Sequence, residues 1–177
     1  DPLTTVAAYR KMASQCDYPF HLGVTEAGGL IAGTVKSSVA LGILLNEGIG
    51  DTLRISLTRD PQEEIKVGYE LLRALNIRHR GPELISCPTC GRCQVNLFNL
   101  AEEVENHIQQ IETPLKIAVL GCVVNGPGEA KAADIGVAGG QGLGILFKKG
   151  KLYRKAAVKE LMAVFLEELA QIAQEKS

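Results

Sequence analysis

Between residues 20 and 75, short apolar runs alternate with helix-patterned segments, and this alternation limits the fold more than any other feature. The run 20–24 (FHLGV) suits a buried strand, and 51–57 (DTLRISL) reads as a second one. Between them, 34–46 reads as a helix with Val35, Val39 and Ile43 on one face, closed by Gly48. Asp60 then caps a further helix, Pro61 suits its first turn, and Glu63 completes a capping box. Ile65, Tyr69, Leu72 and Leu75 supply its apolar stripe. Repeated strand–helix units with short loops mean parallel strands covered by helices. Two such units cannot close a sheet. Residues 4–14 are also helix-like, and the sequence opens on Asp1 with that helix already under way, so it reads as a piece of a longer chain.

Residues 76–82 (NIRHRGP) break the pattern with charge, Gly and Pro, and 79–82 reads as a linker between 1–78 and 83–177. The second half follows another order. A strand at 83–86 leads to a helix capped by Asn99 with Glu102, lined by Leu100, Val104, Ile108 and Ile111. Strands follow at 115–121, 133–138, 143–147 and 151–154, the last two joined as a hairpin through Lys149 and Gly150. Val158, Leu161, Met162, Phe165, Leu166, Leu169 and Ile172 mark an amphipathic final helix. The expected fold class is α/β with a mixed-sheet α+β second domain that carries its helices on one face.

The 177 residues are 46% hydrophobic, enough for a real core, and a net charge of −1 offers no general field for nucleic acid or an anionic membrane. No apolar run is long enough for a membrane span, and no basic segment leads into one at the N-terminus, so neither a span nor a secretion signal is expected. A cytoplasmic location fits. The five cysteines are odd in number and three fall within seven positions, which argues against a disulfide framework.

Those three, Cys87, Cys90 and Cys93, are separated by two-residue spacers that let thiolates converge on one metal. Cys122 follows at the end of an expected strand, in GCVVNGPGE. Soft sulfur donors select zinc or an iron–sulfur cluster, and spacing leaves that choice open. Cys87, Cys90, Cys93 and Cys122 would also make a four-thiolate shell for a zinc-stabilised binding module, the alternative reading. Cys16, far off in sequence, reads as structural. Of the histidines, His21 reads as a core residue, and His79 and His107 as solvated. The glycines of 139–144 lie between strands rather than opening a helix, so they read as turns and not as a phosphate cradle.

CPTC, followed by GCVVNGPGEA and preceded by HLGVTEAGG and GIGDTLRIS, resembles the 4-hydroxy-3-methylbut-2-enyl diphosphate synthase family, iron–sulfur enzymes of the non-mevalonate isoprenoid pathway. The likeness runs through nearly the whole chain. It implies the tail of a TIM-type barrel over 1–78, incomplete, and a [4Fe–4S] domain over 83–177. The implied cluster ligands are Cys87, Cys90, Cys122 and Glu129; Cys93 departs from the family pattern. The resemblance also implies that Arg54 and Ser56 contact a diphosphate, that Glu26 handles protons, and that the strand-end positions of all three lie where barrel chemistry occurs. Asn125, in the same loop as Glu129, is suited to a substrate hydroxyl.

The activity so implied is reductive ring opening and dehydration of 2-C-methyl-D-erythritol 2,4-cyclodiphosphate to 4-hydroxy-3-methylbut-2-enyl diphosphate. Electrons would come from flavodoxin or ferredoxin, in a homodimer whose cluster domains face the partner's barrel. With part of the barrel missing, the isolated sequence is expected to be inactive.

Overall fold

The computed structural model describes residues 1–93, 95–122, 130–140 and 142–176, with the side chain of Ala130 left aside. They form two compact units, Asp1–His79 and Arg80–Ser177. Among the described residues, no helix is long and apolar enough to cross a membrane.

The first unit runs α1 (Pro2–Ala13), β1 (His21–Gly23), α2 (Leu30–Asn46), β2 (Thr52–Arg54) and α3 (Pro61–Ala74). β1 and β2 are parallel, with His21 opposite Thr52 and Gly23 opposite Arg54. Both strands are shorter than the apolar runs suggest. Asp51 accepts from the Phe20 amide at 2.7 Å, so this carboxylate replaces the ladder before it begins. At the other end Glu64 accepts from the Leu57 amide at 2.7 Å.

Helix faces depart from expectation where packing outranks hydrophobicity. α2 buries Gly33, Ser37, Ala40, Leu41 and Leu44, while Val35 and Val39, expected inside, are exposed. Gly33 explains the rotation: a Cβ there would stand 2.4 Å from Leu57 Cδ2, so the helix can approach the strand end only along its glycine. α3 behaves alike. It buries Gly68 and Leu71 and leaves Ile65 exposed, with Gly68 facing Leu53 and Ile55. Asp60 caps α3 as expected, accepting from the Gln62 amide at 2.9 Å, but Glu63 binds Lys66 instead of reaching back over the cap.

The second unit is a five-stranded sheet in the order β3-β4-β5-β6-β7, comprising Glu83–Ser86, Lys116–Leu120, Ile135–Gly139, Leu143–Lys148 and Lys151–Ala157. β3, β4 and β5 are parallel neighbours; β6 and β7 run antiparallel. Lys149 (φ 49) and Gly150 (φ 74) turn the hairpin with two left-handed residues, the geometry that suits strand twist. Helix α4 (Leu97–Ile108) starts earlier than expected: Asn96, not Asn99, is the cap, and its side chain accepts from the Asn99 amide at 3.3 Å. The final helix, α5 (Val158–Lys176), buries Leu161, Phe165, Leu169 and Ile172. These pack in one cluster with Leu97, Val104 and Ile108 of α4 and with Ile117, Val119, Ile135, Val137 and Leu146 of the sheet.

One charge enters that interface. Glu168 is only 5% exposed and meets Lys148 Nζ at 2.6 Å, with Lys148 lying 4.0 Å over the Tyr153 ring. The bond from Lys148 holds the Glu168 carboxyl below its ordinary range against the opposing push of burial, and raises Lys148 in return. The stabilisation carried by Glu168 is therefore complete above the usual carboxylate value and is lost as pH falls through the lowered one. That carried by Lys148 is complete below the usual lysine value and fades as pH rises through the raised one. Glu168→Gln should cost about 2 kcal/mol at neutral pH, less than a fully buried pair because Lys148 is partly solvated. Urea unfolding at pH 7 and pH 3 checks this: the difference between variant and wild type should shrink in acid.

Candidate functional site

The cysteines gather where parallel strands end. Cys87 follows β3 directly and Cys122 lies two residues beyond β4, its neighbour in the sheet. The turn between Cys90 and Cys93 is closed by the Cys93 amide donating to the Cys90 carbonyl at 2.9 Å. Exposure differs among the four: Cys122 is 6% exposed, Cys87 and Cys93 are half-buried, and Cys90 faces solvent.

Gly121 links three of them. Its amide donates to Cys87 Sγ at 3.3 Å, its missing side chain leaves room for the Cys93 sulfur, and its successor is Cys122. Sequence reasoning passed over Gly121, since only the parallel register of β3 and β4 brings it against the Cys87 loop.

An amide aimed at a thiol fits a site built for thiolate sulfur, because hydrogen bonds to ligand sulfurs tune iron–sulfur centres. Three cysteines on two adjacent strand ends, one of them open to solvent, therefore suit an iron–sulfur group. Among the described residues no three His, Cys, Asp or Glu side chains are grouped to hold a metal, which bears equally on the iron–sulfur and the four-thiolate zinc readings, and the Cys93 thiol bonds the Val95 carbonyl at 3.2 Å. Asn125 and Glu129 lie outside the described residues. Cys16 belongs to the first unit, three residues beyond α1, where its thiol donates to the Met12 carbonyl.

In the first unit, Glu26, Arg54 and Ser56 all stand at or just beyond the C-terminal ends of β1 and β2. The two loops are tied by the Thr58 amide, which donates to the Gly28 carbonyl at 3.0 Å. Glu26 is exposed and holds a left-handed backbone (φ 53), a conformation that costs a non-glycine residue about 1–3 kcal/mol. Arg54 is exposed and ends β2, so Ser56 lies past the ladder and strand alternation no longer orients it. His21, at the other end of β1, is exposed and bonds Thr52 Oγ1 at 2.7 Å, and so is not a core residue.

Gly23 seats Arg54. A Cβ at Gly23 would stand 3.2 Å from a guanidinium nitrogen and 3.4 Å from Cζ, so the guanidinium rests across the glycine of the paired strand. The same arginine borders a cavity of about 690 Å³ beside β2, lined also by Thr52, Glu64, Tyr69 and Arg78. Gly23→Ala should displace the guanidinium by a few tenths of an ångström. A crystal structure of the variant checks this: an unmoved guanidinium would show that Gly23 has no part in placing Arg54.

Two family models match this sequence: the GcpE protein C-terminal domain over residues 83–171 and the GcpE TIM-barrel domain over residues 1–69. The chain belongs to the GcpE family. The C-terminal match holds Cys87, Cys90, Cys93 and Cys122; the barrel match holds Glu26, Arg54 and Ser56, so the parallel β1 and β2 with their helices belong to a TIM-barrel domain of the GcpE type. Curated relatives named 4-hydroxy-3-methylbut-2-en-1-yl diphosphate synthase (flavodoxin) include those of Desulfotalea psychrophila (70% identical over 99% of this chain), Lawsonia intracellularis (62% over 98%) and Geobacter sulfurreducens (56% over 97%). These matches cover 48%, 48% and 49% of the respective relatives, so the chain spans about half their length.

Proposed function

We propose that this chain supplies the end of the barrel and the iron–sulfur domain of a 4-hydroxy-3-methylbut-2-enyl diphosphate synthase. Its reaction opens the ring of 2-C-methyl-D-erythritol 2,4-cyclodiphosphate with two electrons and releases water. The observation that carries the reading is the position of Cys87 and Cys122 at neighbouring parallel strand ends, with the Gly121 amide at the Cys87 sulfur. Cys87, Cys90, Cys122 and Glu129 would hold a [4Fe–4S] cluster. When bound, that cluster supplies electrons one at a time and Lewis acidity toward the departing oxygen.

The chain's own residues do the rest. Arg54 presents a planar fork to the diphosphate, with a geometry that an ammonium cannot match, and Ser56 adds a hydroxyl donor. Glu26 moves a proton at the substrate, and Asn125 orients a substrate hydroxyl. A carboxylate among thiolates is the harder and more weakly held donor, so Glu129 marks the iron most open to exchange. Flavodoxin is the electron donor in this reading, on the strength of the relatives' names, with ferredoxin as the other low-potential candidate. Homodimeric assembly and a cytoplasmic location complete it.

Anaerobic purification of the intact protein with iron, sulfide and zinc analysis is the test. About four irons and four sulfides per chain are expected. Glu129→Ala should keep the protein folded yet speed release of iron to a chelator severalfold. A single zinc, retained unchanged in that variant, would replace this reading with a structural zinc module.

A further inference from the structure

Cys93 has no place in the ligand set proposed above, yet it is half-buried and packed against the core of the second unit. Three contacts define its position. Its amide closes the turn onto the Cys90 carbonyl at 2.9 Å. Its thiol donates to the Val95 carbonyl at 3.2 Å. Its sulfur fills the space beside Gly121, where a Cβ would stand 2.6 Å from Sγ, 3.3 Å from Cys93 Cβ and 3.4 Å from Leu97 Cδ2. Gly121 meanwhile binds the Cys87 sulfur and precedes Cys122. Just downstream, Val95 makes an equivalent contact on the next strand: a Cβ at Gly139 would overlap it at 2.2 Å.

We propose that Cys93 is a positioning residue and not a metal ligand: its sulfur, keyed into the space beside Gly121, fixes the Cys87–Cys93 segment against the end of β4 that leads into Cys122. The chemistry favours sulfur for this task. A thiol is a small hydrophobe with a weak donor, so it packs against a glycine and still satisfies one carbonyl. Gly121 is the complementary half, because any side chain there must displace either the Cys93 sulfur or the amide that reaches Cys87. The inference rests on the iron–sulfur reading for its consequence, but its geometry stands without metal.

The decisive experiment is a double-mutant cycle of Gly121→Ala and Cys93→Ala in the full chain, read both as iron release to a chelator and as the Tm of the metal-free protein. Gly121→Ala alone adds a methyl to a filled space and should lower Tm by about 5 °C and speed iron release about tenfold. Cys93→Ala alone should keep the full iron complement, with the electron paramagnetic resonance signal of the reduced cluster shifted. In the double variant the 2.6 Å collision is gone, leaving contacts of 3.3 and 3.4 Å, so most of the Gly121→Ala loss should be recovered.

Loss of iron in Cys93→Ala as deep as in Cys87→Ala would make Cys93 a ligand and overturn the proposal. So would additive effects in both readouts. If wild-type protein binds no iron, the iron–sulfur reading falls, and recovery of Tm in the metal-free double variant still upholds the contact.

Discussion

Cys122→Ala should abolish cluster binding in the intact protein and take turnover with it. Cys122 is 6% exposed, two residues beyond β4 and directly after Gly121, whose amide reaches Cys87. An alanine at that position presents iron with nothing to bind. Loss of an outer-shell partner alone costs a metal site about 10–100-fold, so removal of a donor should exceed about 100-fold in affinity. Iron per chain, the visible absorption of the cluster and turnover should fall together, while circular dichroism stays near wild type because a buried Cys-to-Ala change removes only one sulfur. A variant that keeps its iron would remove Cys122 from the ligand set. Cys90→Ala makes an informative companion: Cys90 is exposed, so its loss should alter the cluster without touching the core.

Arg54→Ala is the second large effect. Each hydrogen bond to a charged group contributes about 1.5–3 kcal/mol, and a guanidinium can offer two at once to a diphosphate. Loss of both should lower kcat/KM by about 10²- to 10⁴-fold. Arg54→Lys should recover part of this, since an ammonium restores the charge but not the paired geometry. Arg59, exposed and a few residues on, is the control: its removal should stay within about threefold. If Arg54→Ala matches that control, the arginine is a surface residue resting on Gly23 and the diphosphate lies elsewhere. The stability of the variant should hardly change, because the side chain is exposed.

The two predictions rest on different kinds of legibility. The cysteines were visible because metal binding demands particular residue types at close spacing, which a sequence displays directly. Arg54 was named through the family resemblance alone, and Gly23, across which it rests, lies 31 positions away and meets it only when β1 and β2 pair in register. Gly121 and Cys93 are the same case: their contact is made by the register of two parallel strands, and no local pattern announces it. The interplay of Glu168 and Lys148 was hidden too, since an acidic residue in an amphipathic helix gives no sign that a lysine of a hairpin will meet it inside.

What depended on neighbours within a few residues could be read from the chain alone. Asp60 with Pro61 starts α3, Lys149 with Gly150 turns the hairpin, and the strand–helix order of both halves follows from hydrophobic period, because caps, turns and periodicity are local free energies. The apolar faces of α4 and α5 were legible in the same way, whereas the face that α2 buries was decided by the tertiary structure. Val35 and Val39 are more apolar than Gly33 and Ser37, yet the latter face inward, since the closest approach of a helix to a strand end requires the residues with least volume. The same steric rule holds at Gly121, beside which the Cys93 sulfur sits, and at Gly23, across which the Arg54 guanidinium rests.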